Sequence, residues 1–148
     1  MKKIGLVFAI AVLVMSCKKE GCTDSTATNY NEDAKVDDGT CAYQRDGFIG
    51  TYVVSETCTY EDNGSYTVTV IEGPNTNEIV IENLYNVGER VRAVVANNEA
   101  TFKEGVAGIT YEGTAYMLGE ELNVDYEVCE TDYYPCSDIE ACSFIGTK

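Results

Sequence analysis

Acidic side chains and cysteines have the most chemical reach in this sequence, and histidine, a usual partner of both, is absent. A Ser–His or Cys–His nucleophilic pair is therefore ruled out. No G-x-S-x-G elbow, phosphate loop or GxGxxG turn occurs. Paired carboxylates are the remaining route to catalysis. Glu121, Asp125 and Glu127 share one face of a predicted strand, and Glu112 falls across a predicted hairpin from them. A glycosidase needs two carboxyl groups about 5 to 10 Å apart, one of them in an apolar pocket. These acids alternate with apolar residues, which places them in water, so the chain reads as non-catalytic.

A second concentration of oxygen lies between Cys22 and Cys41. Asn29-x-Asn31-x-Asp33 is like the opening of a calcium loop, and Asp24, Asp37 and Asp38 add further oxygens. Calcium takes six to eight oxygen ligands. The glycine position of an EF-hand holds Ala34, however, and the bidentate glutamate position holds Thr40. These six residues are thus calcium candidates outside any EF-hand, and their plainer role is to cap turns. No other cofactor is expected. Zinc is disfavoured, because there is no CxxC pair and a four-thiolate site would need scattered ligands.

The elements that carry these residues read as strands. Tyr66, Val68 and Val70 share one face while Thr67 and Thr69 share the other. Leu122, Val124, Tyr126 and Val128 alternate in the same way with Asn123, Asp125 and Glu127. A period of two with one wet face marks antiparallel sheet. Turn signals fall at Asp62-Asn63-Gly64, Gly73-Pro74-Asn75, Asn86 to Gly88, Asn97-Asn98 and Gly119-Glu120. Strands are predicted at 48–58, 65–71, 77–83, 90–96, 99–103, 107–118, 121–129 and 139–146. Residues 47–148 therefore form an all-β unit, a single antiparallel up-and-down barrel or sandwich of about eight strands.

The N-terminus opens with Lys2 and Lys3, then an apolar run from Ile4 to Met15. That run is too short to span a bilayer, which takes about 20 residues, and it fits an export signal. Val14-Met15-Ser16-Cys17 resembles the lipobox of bacterial lipoproteins. The resemblance implies removal of residues 1–16, acylation of Cys17, a short tether over 17–21, and the membrane as a partner through the lipid. Several acyl chains suffice for stable anchoring, at about 0.8 kcal/mol per buried CH₂. No Asp follows Cys17, and the Lys18-Lys19-Glu20 tether is similar to those of outer-membrane lipoproteins, some of which face outward. Loss of Lys2 and Lys3 leaves eight basic against 25 acidic residues, a formal charge of −17. So acidic a chain argues against nucleic acid and against adhesion to anionic lipid.

Beyond the cytoplasmic membrane, the six other cysteines read as disulfides. Cys22-Thr23-Asp24, Ala27-Thr28-Asn29-Tyr30-Asn31, Ala34 and Asp37-Asp38-Gly39-Thr40-Cys41 resemble a small module that recurs in bacterial surface and secreted proteins. The resemblance implies a Cys22–Cys41 bridge and an irregular unit over 22–43, ahead of the β domain. For the other four cysteines two pairings stay open. If the first and last strands meet in a closed meander, Cys58 pairs with Cys142 and Cys129 with Cys136. The alternative joins Cys58 to Cys129 and Cys136 to Cys142.

Eleven tyrosines and no tryptophan are present. Tyr111, Tyr116 and Tyr126 fall in strands and are expected to pack. Tyr133 and Tyr134 fall in the loop before Pro135, between Cys129 and Cys136, where rigid exposed tyrosines suit recognition. Phe48-Ile49-Gly50-Thr51-Tyr52 is similar to the Gly-x-Trp opening of lipocalin-like barrels, with Tyr52 at the tryptophan position. The expected role is a cell-surface interaction or coat module that meets a protein or glycan. A lipocalin-like carrier of a small apolar ligand comes second, and an enzyme of unknown type third.

Overall fold

A computed structural model describes residues 18–60, 64–130 and 139–148. Val14 to Cys17, Tyr133, Tyr134 and Cys136 lie outside the described residues. Eight strands follow in chain order: β1 (Gly50–Cys58), β2 (Gly64–Glu72), β3 (Glu78–Glu82), β4 (Arg90–Ala96), β5 (Glu99–Val106), β6 (Ile109–Leu118), β7 (Glu121–Glu130) and β8 (Glu140–Thr147). Each pairs antiparallel with its neighbour, and β8 returns to β1, so the sheet closes as a barrel. Of the two architectures open to the sequence, the chain adopts the barrel. Closure gives every strand two neighbours, although the β4–β5 ladder is short and joins only Val94–Ala96 to Glu99–Thr101.

Inside, the alternate residues of every strand meet in one cluster that includes Tyr52, Val68, Ile81, Val91, Phe102, Leu122 and Phe144. Outside are polar and charged residues such as Thr51, Arg92, Lys103, Glu112 and Asp125. This is the reverse of a membrane-spanning barrel, which turns its apolar face to lipid. Two glycines make the interior fit. A Cβ on Gly113 would lie 2.4 Å from the Asp125 carbonyl oxygen and from the Tyr126 Cβ. One on Gly146 would lie 2.9 Å from the Cβ of Tyr52. Large rings therefore sit opposite absent side chains.

Three strand limits differ by two residues or more from those the pattern suggests. The strand expected over 107–118 begins at Ile109, because Ala107 (φ 52°) and Gly108 (φ 85°) form the tight hairpin that turns β5 into β6. β5 accordingly runs on to Val106. The first strand, expected from 48, begins at Gly50. A 3-10 helix at Gln44–Phe48 precedes it and carries Phe48 into the core, where its carbonyl accepts a hydrogen bond from the Tyr52 hydroxyl at 2.8 Å.

That helix also joins the N-terminal module to the barrel. The guanidinium of buried Arg45 donates to the carbonyls of Gly73 (3.0 Å) and Asn75 (2.5 Å) and pairs with Glu72 at 2.9 Å. It lies 5.7 Å from the centre of the Tyr43 ring. The module packs beside the β2–β3 and β4–β5 turns, where Thr26 and Tyr43 share a cleft with Asn77 and Asn97. Within it Cys22 and Cys41 are bonded, with Cα atoms 4.8 Å apart, over a small interior of Cys22, Ala27 and Ala34. Much of the expected tether belongs to this unit. Lys19 accepts at its carbonyl from the Lys35 amide, Gly21 donates to Val36, and the Lys19 ammonium meets Asp33 at 2.8 Å.

Candidate functional site

In the module, the six oxygen-bearing candidates are hydrogen-bonded within their own chain, although four of them are exposed. Asp24 accepts from the Thr26 amide (2.9 Å) and hydroxyl (2.8 Å) and from the Tyr43 hydroxyl (2.9 Å). Asn31 accepts from the Asp33 amide, Asp37 from the Gly39 amide, and Asp38 from the Thr40 amide and hydroxyl. Asn29 bridges strands of the loop, donating to the Thr40 carbonyl and accepting from the Ala42 amide. Hydrogen bonds to Thr26 hold the Asp24 carboxyl below the usual aspartate range, and those to Thr40 do the same for Asp38. Lys19 lowers Asp33, first by hydrogen bonding and then by its charge. The arrangement is a set of Asx turns closed by one bridge.

The far end of the barrel, away from the module, holds a buried polar cluster that the sequence reading did not single out. Glu56 on β1 is 2% exposed. Its carboxylate accepts from the hydroxyls of Tyr66 on β2, at 2.7 Å, and Tyr126 on β7. Burial, and then the bond to Glu56, pushes both phenols far above the ordinary tyrosine value. Two residues on, Cys58 and Cys142 stand opposite one another in the β1–β8 register and are bonded, with Cα atoms 4.1 Å apart. Beside them the Tyr85 hydroxyl donates to Glu140. Tyr85 itself sits at φ 60° between Asn83 and Asn86, also left-handed. Such a backbone costs about 1 to 3 kcal/mol for a bulky residue and persists only where its surroundings fix it. The Tyr111 hydroxyl is buried without a hydrogen-bond partner among the described residues, and burial with the nearby Glu89 charge raises its pKa. The signal for Glu56 was present in the pattern. It occupies the inward phase of β1 after Tyr52 and Val54, where an acid is out of place unless paired.

Cys58, Glu140 and Cys142 are also the group of three potential metal ligands found among the described residues, but the two sulfurs are already bonded to each other. Cys129 is disulfide-bonded as well, and Cys136, its expected partner, is outside the described residues.

Of the carboxylates on the outer surface, Glu112 pairs with Lys103 at 2.5 Å. Glu121, Asp125 and Glu127 are exposed on β7. Glu112, Asp125 and Glu127 line an open groove on the outer surface of the barrel. Tyr111 and Tyr126 are core residues, whereas Tyr116 is half-buried on the outer face. Comparison with family models, with curated proteins and with solved structures finds no match for this chain.

Proposed function

We propose that this chain is a non-catalytic lipoprotein of the outer membrane that presents its barrel at the cell surface as an interaction or coat module. Acyl chains on Cys17 would hold it there. The layout is what carries the reading. Residues 19–43 pack at the barrel end that Phe48 closes, so the N-terminal attachment and the Glu56–Cys58 end lie at opposite poles. A lipid at the first pole turns the second, with exposed Tyr60, away from the membrane. The inward side chains form one continuous cluster among the described residues, which favours this role over transport.

A carrier of a small apolar ligand is the second reading. Its one favourable observation is the Tyr111 hydroxyl, which a bound acceptor would satisfy. Top-down mass spectrometry of protein taken from its own cells, combined with protease shaving of those cells intact, tests the proposal. The expected result is a chain that begins at acylated Cys17, carries no small molecule and is lost on shaving. An unmodified Cys17, or full protection in intact cells, would overturn it, and a co-purifying apolar compound would favour the carrier.

A further inference from the structure

The outer surface of the barrel is divided. Over β3 to β6 it is tied together by ion pairs: Arg90 with Glu82 (2.6 Å), Arg92 with Glu104 (2.8 Å) and Lys103 with Glu112. Over β6, β7, β8 and β1 the outward residues Tyr116, Asn123, Asp125, Ser143, Ser55 and Thr57 take no part in such pairing among the described residues. Two rungs of the register cross these four strands. The first reads Tyr116, Asn123, Ile145, Ser55, and the second Thr114, Asp125, Ser143, Thr57. Directly opposed residues in an antiparallel sheet stand about 5 Å apart, so each rung is a continuous row.

The rungs line a groove of about 420 Å³ that continues, past Asp125 and Ser143, into a second of about 570 Å³. Both volumes fall in the range of ligand sites. Asn123 forms the floor. It is 7% exposed, and among the described residues its side chain makes one hydrogen bond, a 3.4 Å contact from its amide nitrogen to the Glu121 carbonyl. Among the described residues its amide oxygen accepts no hydrogen bond, and the residue lines the groove. Around it, the Tyr116 ring and the exposed Ile145 offer apolar platforms, and Asp125, Ser143, Ser55 and Thr57 offer acceptors and hydroxyls.

From this we infer that the β6–β7–β8–β1 face binds a neutral, hydroxyl-rich glycan. Sugar C–H faces stack on the Tyr116 ring and Ile145, while ring hydroxyls donate to Asp125 and exchange hydrogen bonds with Asn123. The charges select against anionic chains, since Asp125 and Glu127 have no cation beside them among the described residues. On this face each strand is laddered on both sides, which removes the route by which an extended peptide would add as a strand. The inference rests on the surface role proposed above and names the site and ligand class for it.

The test uses the full acylated chain in nanodiscs, titrated calorimetrically with maltohexaose, cellohexaose, mannohexaose and chitohexaose, with oligogalacturonate as the anionic control. At least one neutral hexasaccharide should bind at millimolar affinity or better, and the control should not. Asp125→Ala and Tyr116→Ala, both outside the core, should each weaken binding tenfold or more, whereas Arg92→Ala on the ion-paired face should leave it unchanged. No binding by any neutral hexasaccharide, preference for the anionic chain, or indifference to both groove variants would overturn the inference. A photo-crosslinker at position 116 on intact cells separates the two levels. Capture of a protein there would sink the glycan and leave the surface role standing, while a chain inaccessible on intact cells would remove the surface role itself.

Discussion

The module and the barrel solve the same problem with different forces. Residues 22–43 bury only Cys22, Ala27 and Ala34. At about 25 cal/mol per Å² of apolar surface, so small an interior cannot offset the entropy of ordering some twenty residues. The module's shape is therefore held by the Cys22–Cys41 bond and by side chains that close their own turns. The barrel buries aromatic and branched residues from all eight strands and pairs its first strand with its last. It has a second bridge too, but that bridge spans a fold that already has a core. The comparison teaches that equal covalent bonds have unequal consequences: one creates a structure and the other only latches one.

The largest expected energetic effect tests that distinction from the barrel side. Cys58→Ser with Cys142→Ser should lower barrel stability by about 4.5 kcal/mol, the chain-entropy value for a loop of this length. The far-ultraviolet signature of the sheet should survive, as measured by denaturant titration. Cys22→Ser with Cys41→Ser is worth less, about 3 kcal/mol, yet it should abolish amide protection throughout the module while leaving the barrel's unfolding midpoint in place. Third comes the interior carboxylate. Glu56→Leu leaves the Tyr66 and Tyr126 hydroxyls without their acceptor and should cost about 2 kcal/mol of barrel stability. Glu56→Gln, which keeps an acceptor, should cost less.

The smallest effect is in pH, and it too divides the regions. Asp24, Asp33 and Asp38 have folded values below the unfolded one. Their contribution is complete above the unfolded value of about 4 and is lost as pH falls through the lower folded values. Tyr66 and Tyr126 are shifted the other way. Their contribution is complete below the ordinary tyrosine value of about 10 and erodes as pH rises beyond it. Acid should therefore loosen the module first and alkali the barrel first, which amide exchange at Thr26 and Thr40, and tyrosine absorbance, will report.

Much of the barrel was legible because period-two alternation is local. Val68 and Val70 against Thr67 and Thr69 set the phase of β2 without reference to any other strand. Closure was not legible in the same way, since the pairing of β1 with β8 joins residues about ninety positions apart. Only the placement of Cys58 and Cys142 at the ends of those strands hinted at it. Register is equally non-local, and so the alignment of Tyr116, Asn123, Ile145 and Ser55 into one row emerges only from the fold. Arg45 is a buried clamp for an equally non-local reason: its partners are carbonyls of a turn some thirty residues ahead.

Residue-resolved hydrogen exchange on the native protein, with and without a thiol reductant, addresses the division between the two regions most directly. Under reduction, protection should vanish at the amides of Thr26, Asn31 and Thr40 and persist at Val68, Ile81, Val124 and Phe144. Retained protection in the reduced module, or its simultaneous loss in the barrel strands, would contradict the view that one region is made by its disulfide and the other by its core.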